Sequence, residues 1–300
     1  MGINRIKNVS ITLSISILAT VISFVIGEYC VRLLYKDETV MFPRYHTDVQ
    51  YGQFTIRKIR PNSEFWHTST DGSWKFTTNK QSFRNYKDFN YKKPEGLLRI
   101  ISIGDSHTQG FEVRQDYTFS RIIEKYLCKK FDYVEVINAG VSGFSTAEEL
   151  VFLENEGIKY APDFVVLGFY ANDIEDNIKA GLFKIKEDGS LVVQKNEHIP
   201  GVRIQNVIYK IPLVKWMSEN SYFYSLLFNS TWGYFQRRLA NKATGHVNEY
   251  AVPVQKMFSK YQTDLTDALI KRMYKFCQKN DVKLIRIISK LVERNRGKGT

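Results

Sequence analysis

Four short apolar runs set the tightest limit on what this chain can fold into. Residues 98–103 (LRIISI), 133–137 (YVEVI), 163–169 (DFVVLGF) and 282–288 (VKLIRII) are compact and rich in valine and isoleucine. The first is stopped by Gly104 and the third is entered after Pro162. Such runs suit strands buried in a sheet. Helical spacing fills the gaps between them. Phe119, Ile122, Ile123 and Leu127 share one helix face, with Lys129 and Lys130 near its C-terminal end. Ser145-Thr146-Ala147-Glu148 reads as a capping box ahead of Leu150, Val151 and Leu153. Residues 263–278 read as a later helix. Strands alternating with helices predict an α/β fold, a three-layer α/β/α sandwich around a mostly parallel sheet.

Charge separates the body from its flanks. The 300-residue chain carries a net +12, but residues 101–200 hold 10 basic and 17 acidic groups. Residues 1–100 and 201–300 are both basic. No zinc-finger, RNP or helix-turn-helix pattern accompanies the basic groups, which argues against nucleic acid as a partner. Cys30, Cys128 and Cys277 are too few and too scattered for a disulfide framework or a metal cluster. No cofactor and no metal are implied.

Residues 9–26 (VSITLSISILATVISFVI) are uncharged and follow Arg5 and Lys7. Eighteen residues just cross a bilayer core of about 30 Å at 1.5 Å per residue. A convincing small-x-small cleavage site is missing, which favours an uncleaved single-pass anchor over a removed signal peptide. The expected anchor covers residues 1–36, with the soluble body outside the cytoplasm. Lys and Arg on both sides of the span barely fix that orientation. Residues 37–97 are polar and aromatic, contain Pro43, Pro61 and Pro94, and read as a leader from the anchor to the first strand. Residues 98–177 then form the first part of the core. Residues 178–261 interrupt the rhythm and read as a helical, aromatic-rich insertion that packs on the core. A sharper alternative is a lid or membrane-surface element, given the Trp, Tyr and Lys at 207–216 and 222–232. Residues 262–300 return to the core with its last helix and strand.

Three loops carry the chemistry, each at the C-terminal end of an expected strand, where parallel sheets bind ligands. They are Gly104-Asp105-Ser106-His107, Asn138-Ala139-Gly140-Val141-Ser142-Gly143 and Gly168-Phe169-Tyr170-Ala171-Asn172-Asp173. Each alone has a plain explanation as a turn or a helix cap. In this order, at three successive strand ends, they are far more specific. The set resembles the SGNH (GDSL) hydrolases, which include esterases, lipases and carbohydrate acetylesterases. The resemblance covers about residues 80–180 and continues more weakly at 262–288. The stretch Thr78-Asn79-Lys80-Gln81-Ser82-Phe83-Arg84 is similar to membrane-anchored members.

The resemblance implies Ser106 as nucleophile, with the backbone N–H of Ser106, the backbone N–H of Gly143 and the side-chain amide of Asn172 as oxyanion donors. Asp105 and Asp173 would brace the loops. The family takes its general base from an Asp-x-x-His block beyond the last strand. None of His46, His67, His107, His198 and His246 matches that block. His107 adjoins Ser106, but neighbouring side chains diverge on a turn, and His198 or His246 would have to fold over the site. The expectation is therefore a weak or inactive ester hydrolase acting on an acylated lipid or carbohydrate. Alternatives are an acyltransferase acting on an envelope glycan and a non-catalytic binder of acylated ligands. A flavodoxin-like nucleotide binder is disfavoured, because Gly104-Asp105-Ser106 is neither GxGxxG nor a Walker loop.

Overall fold

The uncharged run lies inside one helix, α1 (Gly2–Leu34). Its segment Ser10–Leu34 has a mean hydropathy of 2.1 and is long and apolar enough to cross a membrane. The computed structural model describes residues 2–36, 39, 41, 45–69, 72–231 and 258–288. His246, Arg237, Arg238, Trp232 and the stretch 289–300 lie outside the described residues. The chain divides into two compact units. One comprises residues 1–44, 65–74 and 208–246, and the other residues 45–64, 75–207 and 247–300.

Residues 37–97 are not a strandless leader. They contain β1 (His46–Tyr51), β2 (Phe54–Ile59), β3 (Glu64–Ser69) and β4 (Gly72–Thr77). β1 and β2 pair antiparallel with Tyr51 opposite Phe54, so only Gly52 and Gln53 make the turn. Gly52 sits at φ +58°, the left-handed conformation that glycine adopts without strain. Strands of six residues need only alternation. Here Phe54, Ile56 and Ile59 are buried while the residues between them are partly exposed. Such short strands leave no long periodic stretch in the sequence.

The core matches the expected rhythm. β5 (Leu98–Gly104) is buried from Arg99 onward and pairs in parallel with β6 (Val134–Asn138) on one side and β7 (Phe164–Phe169) on the other. After α2 (Ser106–Gln109), α3 (Phe119–Leu127) crosses back over the sheet. Its Phe119, Ile123 and Leu127 pack on Ile100, Val134, Val136 and Val166. Alternate residues Ile101, Ile137 and Val165 are fully buried towards the opposite face. There α4 (Thr146–Asn155) contacts β5 and packs with α5 (Asp173–Ala180) and the late helix α9 (Lys260–Lys279). The buried face of α9 is Leu265, Leu269, Met273 and Cys277, one residue per turn. β11 (Lys283–Ile288) adds in parallel to β7, giving the order β11-β7-β5-β6. Its Ile285, Ile287 and Ile288 remain exposed, so this edge is less covered than a buried-strand reading implies.

The stretch 178–261 is only partly helical. β8 (Phe183–Ile185) and β9 (Leu191–Val193) form a hairpin, and β10 (Glu197–His198) pairs in parallel with β2. Helices α6 (Val202–Tyr209), α7 (Pro212–Asn220) and α8 (222–231) follow. Three-residue strands are too short to show a pattern in sequence, and β10 exists only because β2 offers it an edge.

Arg99 ties the start of the sheet together although it is only 1% exposed. Its Nε donates to Glu135 on β6 (2.9 Å), and its Nη1 donates to the carbonyls of Tyr160 (2.6 Å) and Asn90 (3.0 Å). Removing one partner of a buried pair leaves the other charge uncompensated. Arg99→Ala is expected to cost about 3 kcal/mol of stability, read as a lower urea midpoint with an unchanged slope.

Candidate active site

Ser106 opens α2 immediately after β5, half-buried at the C-terminal edge of the sheet. The turn that puts it there is short of space. Gly104 stands at φ +155° opposite Gly168 of β7. A Cβ on Gly104 would lie 2.7 Å from Thr108 Cβ and 2.9 Å from the Gly168 carbonyl oxygen. A Cβ on Gly168 would strike the Thr108 hydroxyl. The two glycines thus make a slot for Thr108, which is fully buried. Asp105 caps the helix, its carboxylate accepting the N–H of His107 at 2.9 Å. Gly110, at φ +71°, ends it and donates to the Ser106 carbonyl at 2.9 Å.

The second loop is bonded to the first. Val141 N donates to the Gly104 carbonyl (2.9 Å), and Ser142 N donates to Gln109 Oε1 (3.1 Å). Gly140 lies so close that an added Cβ would be 2.7 Å from the Thr108 carbonyl carbon. Asn138, at the end of β6, pairs with Ser102, so this loop and the Ser106 turn leave the same sheet edge. The third loop leaves it too, through the Gly104–Gly168 pairing. There Tyr170 N donates to Asp173 Oδ2 at 2.8 Å, and the Asn172 amide donates to Asp176 Oδ2 at 2.9 Å. Ser106, Gly143 and Asn172 therefore stand on three loops at one edge. No acceptor among the described residues takes the backbone N–H of Ser106 or of Gly143.

Two arginines that sequence reasoning gave no role hold these loops. Arg57, on β2, donates through Nη2 to the Gly143 carbonyl. Its guanidinium lies where a Gly143 side chain would stand, with Cζ 2.9 Å from a built Cβ. Gly143 is also at φ +75°, so glycine is required there on two counts. Arg84 is buried and donates to the carbonyls of Gln109 (2.8 Å), Gly110 and Val113 (2.6 Å), closing the end of α2. Burial pulls its pKa down to about 10. The stretch 78–84 pointed to the neighbourhood of Arg84. Nothing in the sequence marked Arg57, because its role depends on how β2 reaches the second loop.

Beneath the loops lie four buried acids, Asp105, Glu148, Glu149 and Asp173. Glu148 fulfils its capping role, accepting Ser145 N–H at 2.9 Å, and its other oxygen meets His198 Nδ1 at 2.9 Å. Asp105 and Asp173 brace the loops as expected. Burial, and then the charges of Asp173, Asp105 and Glu148, raise the pKa of Glu149 well above the usual carboxylate range. Burial and the charge of Asp105 do the same for Asp173. The His107 ring stacks on Tyr170 with centroids 3.9 Å apart, and its Nδ1 sits 3.2 Å from the Asp105 carboxylate. Among the described residues no histidine is hydrogen-bonded to the Ser106 hydroxyl.

The model of the family described as GDSL-like lipase/acylhydrolase matches residues 100–289, well over half of the chain. The chain belongs to that family. An arylesterase of Vibrio mimicus is 26% identical over 125 residues, which is 38% of this chain and 62% of the relative, so the chain spans less than two thirds of that curated protein. Among solved structures, the SGNH-hydrolase family esterase AlinE4 is 17% identical, covering 65% of this chain and 77% of its own, with a TM-score of 0.24. The acetyl xylan esterase AlAXEase is likewise 17% identical, covering 63% and 77%, with a TM-score of 0.27. Arg57 and Arg84 both precede the matched segment.

The raised carboxyl groups have a sign. A carboxyl whose folded-state pKa lies above its unfolded value contributes stability that is complete below the unfolded pKa and is lost as pH rises through the folded one. Stability should therefore fall as pH climbs above about 4.5. Glu149→Gln should flatten that slope and raise the melting temperature at alkaline pH. Parallel pH profiles for variant and wild type would contradict the assignment.

Proposed function

We propose that this chain is an ester hydrolase in which Ser106 is the nucleophile and Gly143 and Asn172 complete the oxyanion hole. The reading is supported by three loops that leave one sheet edge, the second hydrogen-bonded to the first, and by two backbone N–H groups without acceptors among the described residues. Attack by the Ser106 oxygen on an ester carbonyl breaks the carbonyl π bond and moves its electron pair onto oxygen, the seryl proton passing to solvent; collapse expels the alcohol and leaves an acyl-serine that water hydrolyses. The N–H groups of Ser106 and Gly143, with the second N–H of the Asn172 amide, are donors of the type that stabilises that oxyanion. Arg57 supports Gly143 by holding the carbonyl of the same residue.

Family membership and the arylesterase likeness support esters as substrates, and an acylated lipid or carbohydrate is the class we assign. We assign α1 as the membrane anchor: apolar side chains such as Ile11, Leu18 and Val25 are more than half exposed along it, as lipid contact requires. The body lies on the extracytoplasmic side in this reading.

Among the described residues no histidine meets the Ser106 hydroxyl, so the groups described supply oxyanion stabilisation without a general base in contact with the nucleophile. Sites reduced in this way retain roughly 10³–10⁴-fold catalysis over water. Slow hydrolysis of a short-chain p-nitrophenyl ester is expected, reduced in Ser106→Ala and lowered about 10²-fold in Asn172→Ala. Fast turnover that depends on Ser106 would overturn the weak-activity reading. Turnover unchanged in Ser106→Ala would overturn the nucleophile.

A further inference from the structure

The end of α1 is built into a polar junction. Glu28, two residues past the uncharged run, accepts the Ser221 hydroxyl (2.7 Å) and the backbone N–H groups of Tyr222 (3.1 Å) and Phe223 (3.0 Å). These are the first donors of α8, so a carboxylate from α1 caps another helix. Arg32 pairs with Glu28 at 2.6 Å and donates to the carbonyl of Asn220, the last residue of α7, at 2.8 Å. Phe223 packs edge-on against Phe24, with centroids 5.2 Å apart, and closely against Gly27. The end of α7 is thus held to residues 28 and 32. At 1.5 Å per residue these lie about 3 and 9 Å beyond Ile26, the depth of the headgroup region if residues 9–26 span the hydrocarbon.

α7 has the surface expected at that depth. Leu213 is 64% exposed and Trp216, three residues on, is 57% exposed on the same face, with Ile211 exposed just ahead. Lys210 and Lys215 are exposed beside them, and the Lys215 ammonium lies over the Tyr209 ring. The acid of α7, Glu219, is partly buried and meets the Tyr209 hydroxyl. Exposed tryptophan and leucine flanked by lysine suit a helix lying in a bilayer interface.

We propose that α7 is a membrane-surface helix, seated in the headgroup layer of the bilayer that α1 crosses. Leu213 and Trp216 enter the acyl boundary, and Lys210 and Lys215 meet lipid phosphates. This inference rests on the reading of α1 as a membrane span and needs no catalytic activity.

The test reconstitutes the full chain in vesicles of phosphatidylcholine and phosphatidylglycerol, with or without bromine on the acyl chains. Wild type and Trp216→Phe are compared. Brominated lipid should quench a component of the emission that Trp216→Phe lacks, more strongly with bromine near the headgroup than near the chain end. Leu213→Asp should weaken that component while the protein still floats with the vesicles. Equal quenching in wild type and Trp216→Phe, in protein that floats and resists alkaline extraction, would overturn the placement of α7 alone. Protein that does not float would overturn the span, and the inference with it.

Discussion

The candidate site depends on how closely backbone can approach backbone around one buried threonine. Thr108 fills the space that side chains on Gly104 and Gly168 would take, and Gly140 presses against the main chain of the same turn. With a larger residue at Gly104 or Gly140, backbone would have to shift and Ser106 with it; at Gly168 the Thr108 hydroxyl would have to turn away. Because β5, β6 and β7 run parallel and in register, their loops already emerge on one edge. The glycines convert that shared edge into contact. Two hydrogen bonds then lock it, from Val141 to Gly104 and from Ser142 to Gln109.

Charge is arranged around the same point in two layers. Below the loops, Asp105, Glu148, Glu149 and Asp173 are out of solvent, so part of the acidic excess of residues 101–200 is interior rather than surface. On the loops themselves, Arg57 and Arg84 donate to backbone carbonyls and not to carboxylates. Both come from the segment that precedes the family domain. That segment, whose β2 also accepts β10, is therefore part of the site's support and more than a tether to α1.

The parts legible in sequence were those with local causes. Continuous apolar runs found β5, β6, β7 and β11, the Ser145 to Glu148 spacing found the start of α4, and glycines marked the loops. Asp105 and Asp173 bind their own loops, so their bracing role was readable as well. What escaped depends on contacts far apart in the chain. β1 to β4 are short and half-exposed, β10 borrows an edge 142 residues away, and Arg57 meets Gly143 across 86 residues. Glu149 looks like an ordinary first-turn acid of α4. Only the packing of α4 against the sheet and α5 reveals it as buried beside three other carboxyls.

The proposed roles of Ser106, Gly143 and Asn172 turn on where an oxyanion would sit. A crystal structure of the protein after reaction with an alkyl fluorophosphonate reads this directly, because the phosphonyl oxygen stands where the ester oxyanion would be. The expected result is an adduct on the Ser106 oxygen, with the phosphonyl oxygen about 2.7–3.1 Å from the backbone nitrogens of Ser106 and Gly143 and from Asn172 Nδ2. An adduct on another residue, or one on Ser106 whose oxygen points away from Gly143 and Asn172, would contradict it.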